Sequence, residues 1–367
     1  MGHDSEEGSK KSSDSKFGPM MLATLHGLTR SRPDLLTESL ATFSTFTTPA
    51  RMPKDEIGAH LEAKLAEGEV LREFERIPKR KLEQDSSQAR NMFRTACLAE
   101  NVSRNRFKDV LPYEENRVRL SLPTDKDNKT GYINASHVSA TVGDQQRFYI
   151  AAQGPLPNTV IHFWQMVLQC DVHLIVMLTD SSVGDKGGIS SNCLPYWPQK
   201  NGSTLEVGDF RIHKQFTSPS SNGAYTTSTL TLSHTPSGRS RTIWHLQYTD
   251  WGDTGCPTDV RAYLDFLEEM SSLRSHISTS SDVSSNRSTY RNRNPPVLIH
   301  CSAGVGRTGI TVLCDILLYC VNYNIDIDIP KMLTHLRQQR MLMVQTIAQY
   351  KFVHTVLISY LKQSRLI

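Results

Sequence analysis

Residues 296–308, PVLIHCSAGVGRT, constrain this chain more than any other segment. They open as an apolar run of strand type and length. They turn through the small residues Ala303, Gly304 and Gly306 and leave into ITVLCDILLYCV, an apolar run suited to a helix. Small residues let successive backbone N–H groups face inward as a nest for an anion, and the helix that follows aims its N-terminus at the same point. Ser302, Ala303, Gly304, Val305 and Gly306 would supply the amides of that nest. Cys301 opens the loop, so its sulfur lies in a positive field that favours a nucleophilic thiolate. Arg307 has a planar fork that matches two phosphoryl oxygens, and Thr308 can donate a hydrogen bond to the sulfur. A Walker loop is excluded, because it requires a Lys before the Ser or Thr and none stands here. A Cys after a strand is ordinarily a small apolar residue. The H-C-x5-R-[ST] spacing between a strand and a helix sets this one apart.

The rest of the chain reads as one large α/β region behind a polar tail. Residues 1–55 are rich in Ser, Thr, Lys and Glu and read as disordered. Within them, Arg30 and Arg32 followed by Leu35 and Leu36 form a candidate docking peptide for another protein; a solvated linker is the plainer reading. Residues 56–367 form the expected domain. IGAHLEAKLAEGEVLREFERI has helical spacing; LIVML, TTSTLTL, TIWHLQY and PVLIH read as strands; IPKMLTHLRQQRM and IAQYKFVHTVLISYLKQ read as helices. Residues 275–294, polar and low in complexity, read as a flexible surface insert. Seven cysteines, an odd number without a C-x-x-C pair, point away from a disulfide framework or a zinc site and towards a reducing compartment. The net charge of +4 is too slight to argue for nucleic acid or a membrane surface. No apolar run reaches membrane-spanning length, so a soluble chain without a transmembrane segment is expected.

HCSAGVGRTG resembles the signature loop of the non-receptor protein tyrosine phosphatases. NRFKDVLPYEENRV, GYINAS, YIAAQGPLPNTVIHFWQMV, YWPQK, WGDTGCP and QTIAQY resemble further motifs of that family, in the family's order, over about residues 60–367. The final helix with YTDWGDTGCP is most similar to the Pez/PTPD group, whose members carry a FERM domain ahead of the catalytic one. No FERM domain fits ahead of residue 60; a truncated chain, an isoform and a shorter relative remain open.

The resemblance implies a highly twisted mixed sheet flanked by helices. It also implies hydrolysis of phosphotyrosine in proteins through a phosphocysteine on Cys301, in a cytoplasmic setting with cytoskeletal association as its finer form, opposing tyrosine kinases. No metal or organic cofactor is implied, because the nest, the helix dipole and Arg307 neutralise the phosphate. Asp253 is the implied general acid on a mobile loop, with Gly252 where the family has Pro. Gln345 and Gln349, read as four apart on one face at a helix start, resemble the water-positioning glutamines. Arg340 resembles the arginine that buttresses the phosphate loop, with a surface helix charge as the alternative. Phe107 stands where the family has a ring-stacking Tyr, Asp109 where it holds the substrate backbone, and Asp185 is the nearest match for an acid that orients the phosphate-loop arginine. Two other readings stay open. A phosphotyrosine-binding pseudophosphatase or weakly active scaffold is favoured by Gly252 and Phe107. A phosphatase for lipids or phosphoserine would need a wider or shallower pocket.

Overall fold

The computed structural model describes residues 53–81, 91–121, 128–179, 193–251, 255–279 and 294–364. The expectations placed on residues 1–52, on Asp185, and on Gly252 and Asp253 lie outside the described residues. Strands β1 (Arg117–Arg119), β2 (Tyr132–Val142), β3 (Gln145–Gln153), β4 (Leu174–Met177), β5 (Thr204–Val207), β6 (Phe210–Pro219), β7 (Tyr225–His234), β8 (Arg239–Tyr248) and β9 (Val297–Cys301) form one sheet, in the order β1-β2-β3-β9-β4-β8-β7-β6-β5. The centre, β3-β9-β4-β8, is parallel, and both wings are antiparallel. The helices are α1 (Lys54–Ala66), α2 (Glu69–Arg76), α3 (Ala99–Val102), α4 (Val160–Gln169), α5 (Val260–Thr279), α6 (Gly306–Asn322), α7 (Ile329–Gln339) and α8 (Ile347–Gln363).

The central strands read as unbroken apolar runs because helices cover both of their faces. In β9, Val297, Ile299 and Cys301 join the core built with α5, α6, α7 and α8, while Leu298 joins the opposite core with Phe163, Trp164 and Val167 of α4. Successive side chains of a strand point to opposite faces, so one short strand serves two cores. The register puts Cys301 beside Gln153 at the end of β3, and His300 beside Met177 at the end of β4. The nucleophile candidate therefore emerges where parallel strands end, the usual place for a ligand crevice in such sheets.

Asp315, the charge that interrupts the apolar run of α6, is matched inside the core. It accepts from Arg147 of β3 at 2.9 Å and Arg274 of α5 at 3.1 Å, and the Tyr149 hydroxyl also donates to it. Burial alone would raise its carboxyl, but Arg274 and Arg147 hold it below the ordinary aspartate value.

Three boundaries differ from the sequence reading. The first helical run is two helices, because Gly68 adopts φ 70° between them, a left-handed conformation that suits glycine. The first helix starts at Lys54, inside the expected tail of 1–55. Residues 275–279 of the expected insert are helical, because α5 runs on to Thr279 and Ile277 continues its buried face after Met270 and Leu273; residues 280–293 lie outside the described residues. The Ser-rich composition there hides the helical spacing.

Candidate active site

The loop of residues 302–305 leaves β9 and enters α6. Gly304 has φ 72°, and a Cβ on it would sit 2.1 Å from the Ala152 carbonyl oxygen, so no other residue fits without moving the β3 backbone. A Cβ on Gly309 would meet the Val344 nitrogen at 2.3 Å, and one on Gly306 would meet the Gln349 amide at 2.9 Å. The glycines thus allow the end of β3, the α7–α8 connection and the first turn of α8 to close around the loop and the head of α6.

The Cys301 Sγ accepts from the Gly304 N–H at 3.2 Å and the Thr308 hydroxyl at 3.3 Å. The side chain is 4% exposed. Beneath the loop lies Arg340, with none of its surface exposed. Its guanidinium donates to the carbonyl oxygens of Gly304 at 2.8 Å and Ala303 at 3.1 Å, and to Asn134 Oδ1 at 2.9 Å and Ser136 Oγ at 3.0 Å on β2. Burial lowers it to about 10, so it remains charged at neutral pH. With those carbonyls drawn down to Arg340, the loop amides are left to face the other way. Arg340 is therefore no surface helix charge.

The connection that carries Arg340 into α8 is held in turn. Leu342 and Val344 take left-handed backbone conformations at φ 61° and 57°, costly for bulky side chains. Arg337, also buried, fastens it by donating to the carbonyls of Met343 at 3.0 Å and Val344 at 2.7 Å and to that of Ile77 at 3.0 Å. The Leu342 N–H adds a bond to the Lys79 carbonyl at 2.8 Å. The segment after α2 thus braces the loop from behind.

Arg307 donates to the Leu178 carbonyl at 2.9 Å, with its guanidinium 5.7 Å from the centre of the Trp251 ring. Trp251 is buried against Tyr248, Tyr263 and Phe352, and its indole N–H donates to the Gly255 carbonyl at 3.2 Å. The two residues that flank the segment expected to carry the acid are therefore tied to each other, with Trp251 beside Arg307.

Phe107 is 40% exposed, and Lys108 and Asp109 beside it are exposed. Their loop is fixed at both flanks. The Arg106 N–H donates to Gln153 Oε1 at 2.9 Å, and its guanidinium donates to the Pro155 carbonyl at 2.8 Å. Asn134 Nδ2 donates to the Val110 carbonyl at 2.8 Å, and the Leu111 N–H points to Met341 Sδ at 3.4 Å. Asn134 thereby joins this loop to Arg340 and the phosphate loop.

The two glutamines are not a helical pair. Thr346 caps α8, so Gln345 lies before the helix and is exposed, while Gln349 is its third residue. Gln349 and Thr346 form a capping box, in which Gln349 Oε1 also accepts from the Gln345 N–H at 2.7 Å. Gln349 still lies against the loop at Gly306. The sequence reading missed the support given by Asn134, Ser136, Gln153 and Arg337. In β2, Asn134 and Ser136 are two residues apart and so share one face, but nothing local in GYINAS names what they hold.

A protein-tyrosine phosphatase family model matches residues 101–359. The chain belongs to the protein-tyrosine phosphatase family. It is 45% identical over 351 residues to human tyrosine-protein phosphatase non-receptor type 14, covering 95% of this chain and 27% of that protein. It is 44% identical over 354 residues to type 21 of Rattus norvegicus, covering 96% and 28%, and 31% identical over 299 residues to type 20 of Mus musculus, covering 82% and 62%. Types 14 and 21 are the FERM-containing Pez/PTPD group, and the chain spans about a quarter of the length of those two relatives. The phosphatase family model starts at residue 101, so α1, α2 and the brace at Ile77 and Lys79 lie ahead of the matched region.

Proposed function

We propose that this phosphatase-family chain hydrolyses phosphotyrosine in proteins. The Cys301 thiolate attacks phosphorus and the bond to the tyrosyl oxygen breaks. Asp253 gives that oxygen its proton. Water then attacks the phosphocysteine, Asp253 takes a proton from it, and the S–P bond breaks to release phosphate. Arg307 grips two phosphoryl oxygens after leaving the Leu178 carbonyl, and the amides of residues 302–306 take the others. Thr308 stabilises the sulfur as it leaves, and Gln345 and Gln349 orient the water. Phe107 flanks the substrate ring and Asp109 holds its backbone. The scheme calls for no metal or organic cofactor.

The observation that carries this reading is the sulfur of Cys301. It receives an N–H and an O–H at the head of α6, inside a loop whose carbonyls are turned away onto Arg340. A domain that only held phosphotyrosine would need the anion nest but no thiol at its centre. The relatives' printed names support the same substrate class. A cytoplasmic signalling role, association with the cytoskeleton, and docking of a partner by residues 30–36 belong to the same proposal. The test is turnover of phosphotyrosine and phosphoserine peptides of one sequence by the purified chain and by Cys301→Ser. Phosphotyrosine-selective release of phosphate, lost in the variant, supports the reading. Binding without release by the unaltered chain would overturn it in favour of a pseudophosphatase.

A further inference from the structure

Seven large apolar side chains are exposed among the described residues, and three of them, Leu98, Val102 and Phe107, fall within ten consecutive residues. Their exposures are 40%, 46% and 40%. Single exposed apolar residues are ordinary, but a group of them marks an interaction site. Leu98 and Val102 stand at the two ends of α3, one turn apart, with the Val102 N–H donating to the Leu98 carbonyl at 3.2 Å. Residues four apart lie on one side of a helix. Phe107 follows after the next turn, where the proposed reaction places the substrate ring.

The stretch is rigid although these side chains are uncovered. Asn105 Nδ2 donates to the carbonyls of Ala96 at 3.1 Å and Asn101 at 3.2 Å, and so ties down α3. Its Oδ1 accepts from Asn134 Nδ2 at 3.0 Å and from the Tyr132 hydroxyl. Asn134 also holds Val110 and Arg340, so α3 and the loop of Phe107 are fixed to one hub with the phosphate loop. An apolar partner laid on Leu98 and Val102 therefore orders little that is not already ordered. Five residues of chain from Val102 to Phe107 span at most ~18 Å when fully extended. Turn bonds from the Arg104 N–H to the Asn101 carbonyl at 3.0 Å, and from the Asn105 N–H to the Val102 carbonyl at 3.2 Å, shorten that span. A substrate strand advances ~3.3 Å per residue, so with its phosphotyrosine at Phe107 it reaches Val102 within about five residues.

Charge decides what such a patch selects. Both arginines of the stretch turn inward: Arg104 is buried and donates to the Glu100 carbonyl, and Arg106 donates to the Pro155 carbonyl. The exposed charge between Leu98 and Phe107 is the Glu100 carboxylate. An acidic residue of a substrate would meet a like charge there, whereas an apolar one would shed water from both surfaces.

We propose that Leu98 and Val102 form a specificity subsite for an apolar residue of the substrate protein, within about five residues of its phosphotyrosine. This inference rests on the phosphotyrosine reading above, with Phe107 beside the ring.

The test gives the full chain phosphotyrosine peptides that carry a single Leu or a single Ser at successive positions on either side of the phosphotyrosine. At one position or more, Leu should raise kcat/KM about three- to tenfold over Ser. In the double variant Leu98→Gln, Val102→Thr that advantage should shrink to within about twofold. Turnover of p-nitrophenyl phosphate, which has no flanking residues, should stay unchanged. In Val102→Lys, Glu should overtake Leu at the same position. No Leu advantage in the unaltered chain, or one that survives undiminished in the variants, overturns the subsite. A loss shared equally by p-nitrophenyl phosphate overturns it too. The phosphatase reading fails separately, if the unaltered chain releases phosphate from none of these substrates. The affinities of the same peptides for that chain, read by fluorescence anisotropy, then rank the flanks without turnover, and equal affinities for Leu and Ser overturn the subsite.

Discussion

Replacing Arg340 by Met keeps most of the side-chain volume and removes all five N–H donors. Four acceptors lose their partner: the carbonyls of Ala303 and Gly304, Asn134 Oδ1 and Ser136 Oγ. Hydrogen bonds to a charged group contribute about 1.5–3 kcal/mol each. Against that stands the relief of no longer burying a guanidinium, which is several kcal/mol. A net loss of about 2–4 kcal/mol follows, in the range of a broken buried network. For a domain of this size that lowers Tm by roughly 3–6 °C. The effect on chemistry is larger, because the freed carbonyls can rotate into the nest and take amides out of it. Each oriented donor lost costs about 100- to 1,000-fold in kcat. Steady-state hydrolysis of p-nitrophenyl phosphate, measured well below the variant's Tm, should therefore fall at least about 100-fold, with vanadate affinity falling alongside. If Tm drops as expected but kcat stays within threefold, Arg340 only stabilises the domain. The argument that it orients the loop amides would then be wrong.

Three further outcomes are expected. Gly304→Ala should abolish turnover and vanadate binding, since its Cβ would sit 2.1 Å from the Ala152 oxygen; near-normal kinetics would show that the loop is not held against β3. Gly252→Pro should raise kcat roughly two- to fivefold by removing open-loop conformations, and Asp253→Ala should suppress turnover in both backgrounds; a flat or lower kcat for the Pro variant sinks the first idea, and a harmless Asp253→Ala the second. Asp315, held low by Arg274 and Arg147, contributes stability that is full above its unfolded value near ~4 and is lost as pH falls through its folded one; Tm against pH should steepen below pH ~4, and an Asp315→Asn variant with the same acid limb would refute that assignment.

The parts of this protein most legible in its sequence are those whose residues are neighbours in the chain. The phosphate loop is nine consecutive residues between a strand and a helix, so its chemistry and local structure arrive together. The buried central strands are legible for the same reason, as uninterrupted apolar runs. What the sequence could not carry is long-range satisfaction of polar groups. Arg337 and Arg340 lie at the polar end of a helical run and look like surface charges, yet both are buried because carbonyls more than thirty residues away, at Gly304 and Ile77, need their donors. His245 and His300 are likewise distant in the chain, and both reach the hydroxyl of Tyr196, in the segment after β4, because β8 and β9 flank β4 in the sheet. Only the helical placement of the glutamine pair failed, on a one-residue matter: Thr346 is the better cap, so the helix starts after Gln345.

The account's central claim is a covalent phosphate on one sulfur. The most direct measurement is acid quench of the purified chain within milliseconds of mixing with excess phosphotyrosine peptide, followed by mass analysis of the peptide containing Cys301. The account predicts phosphate on Cys301 at early times, increased when Gln345 or Gln349 is replaced by Ala and absent in Cys301→Ser. Full turnover with no phosphate on that peptide at any time, in the unaltered chain and in both glutamine variants, would contradict it.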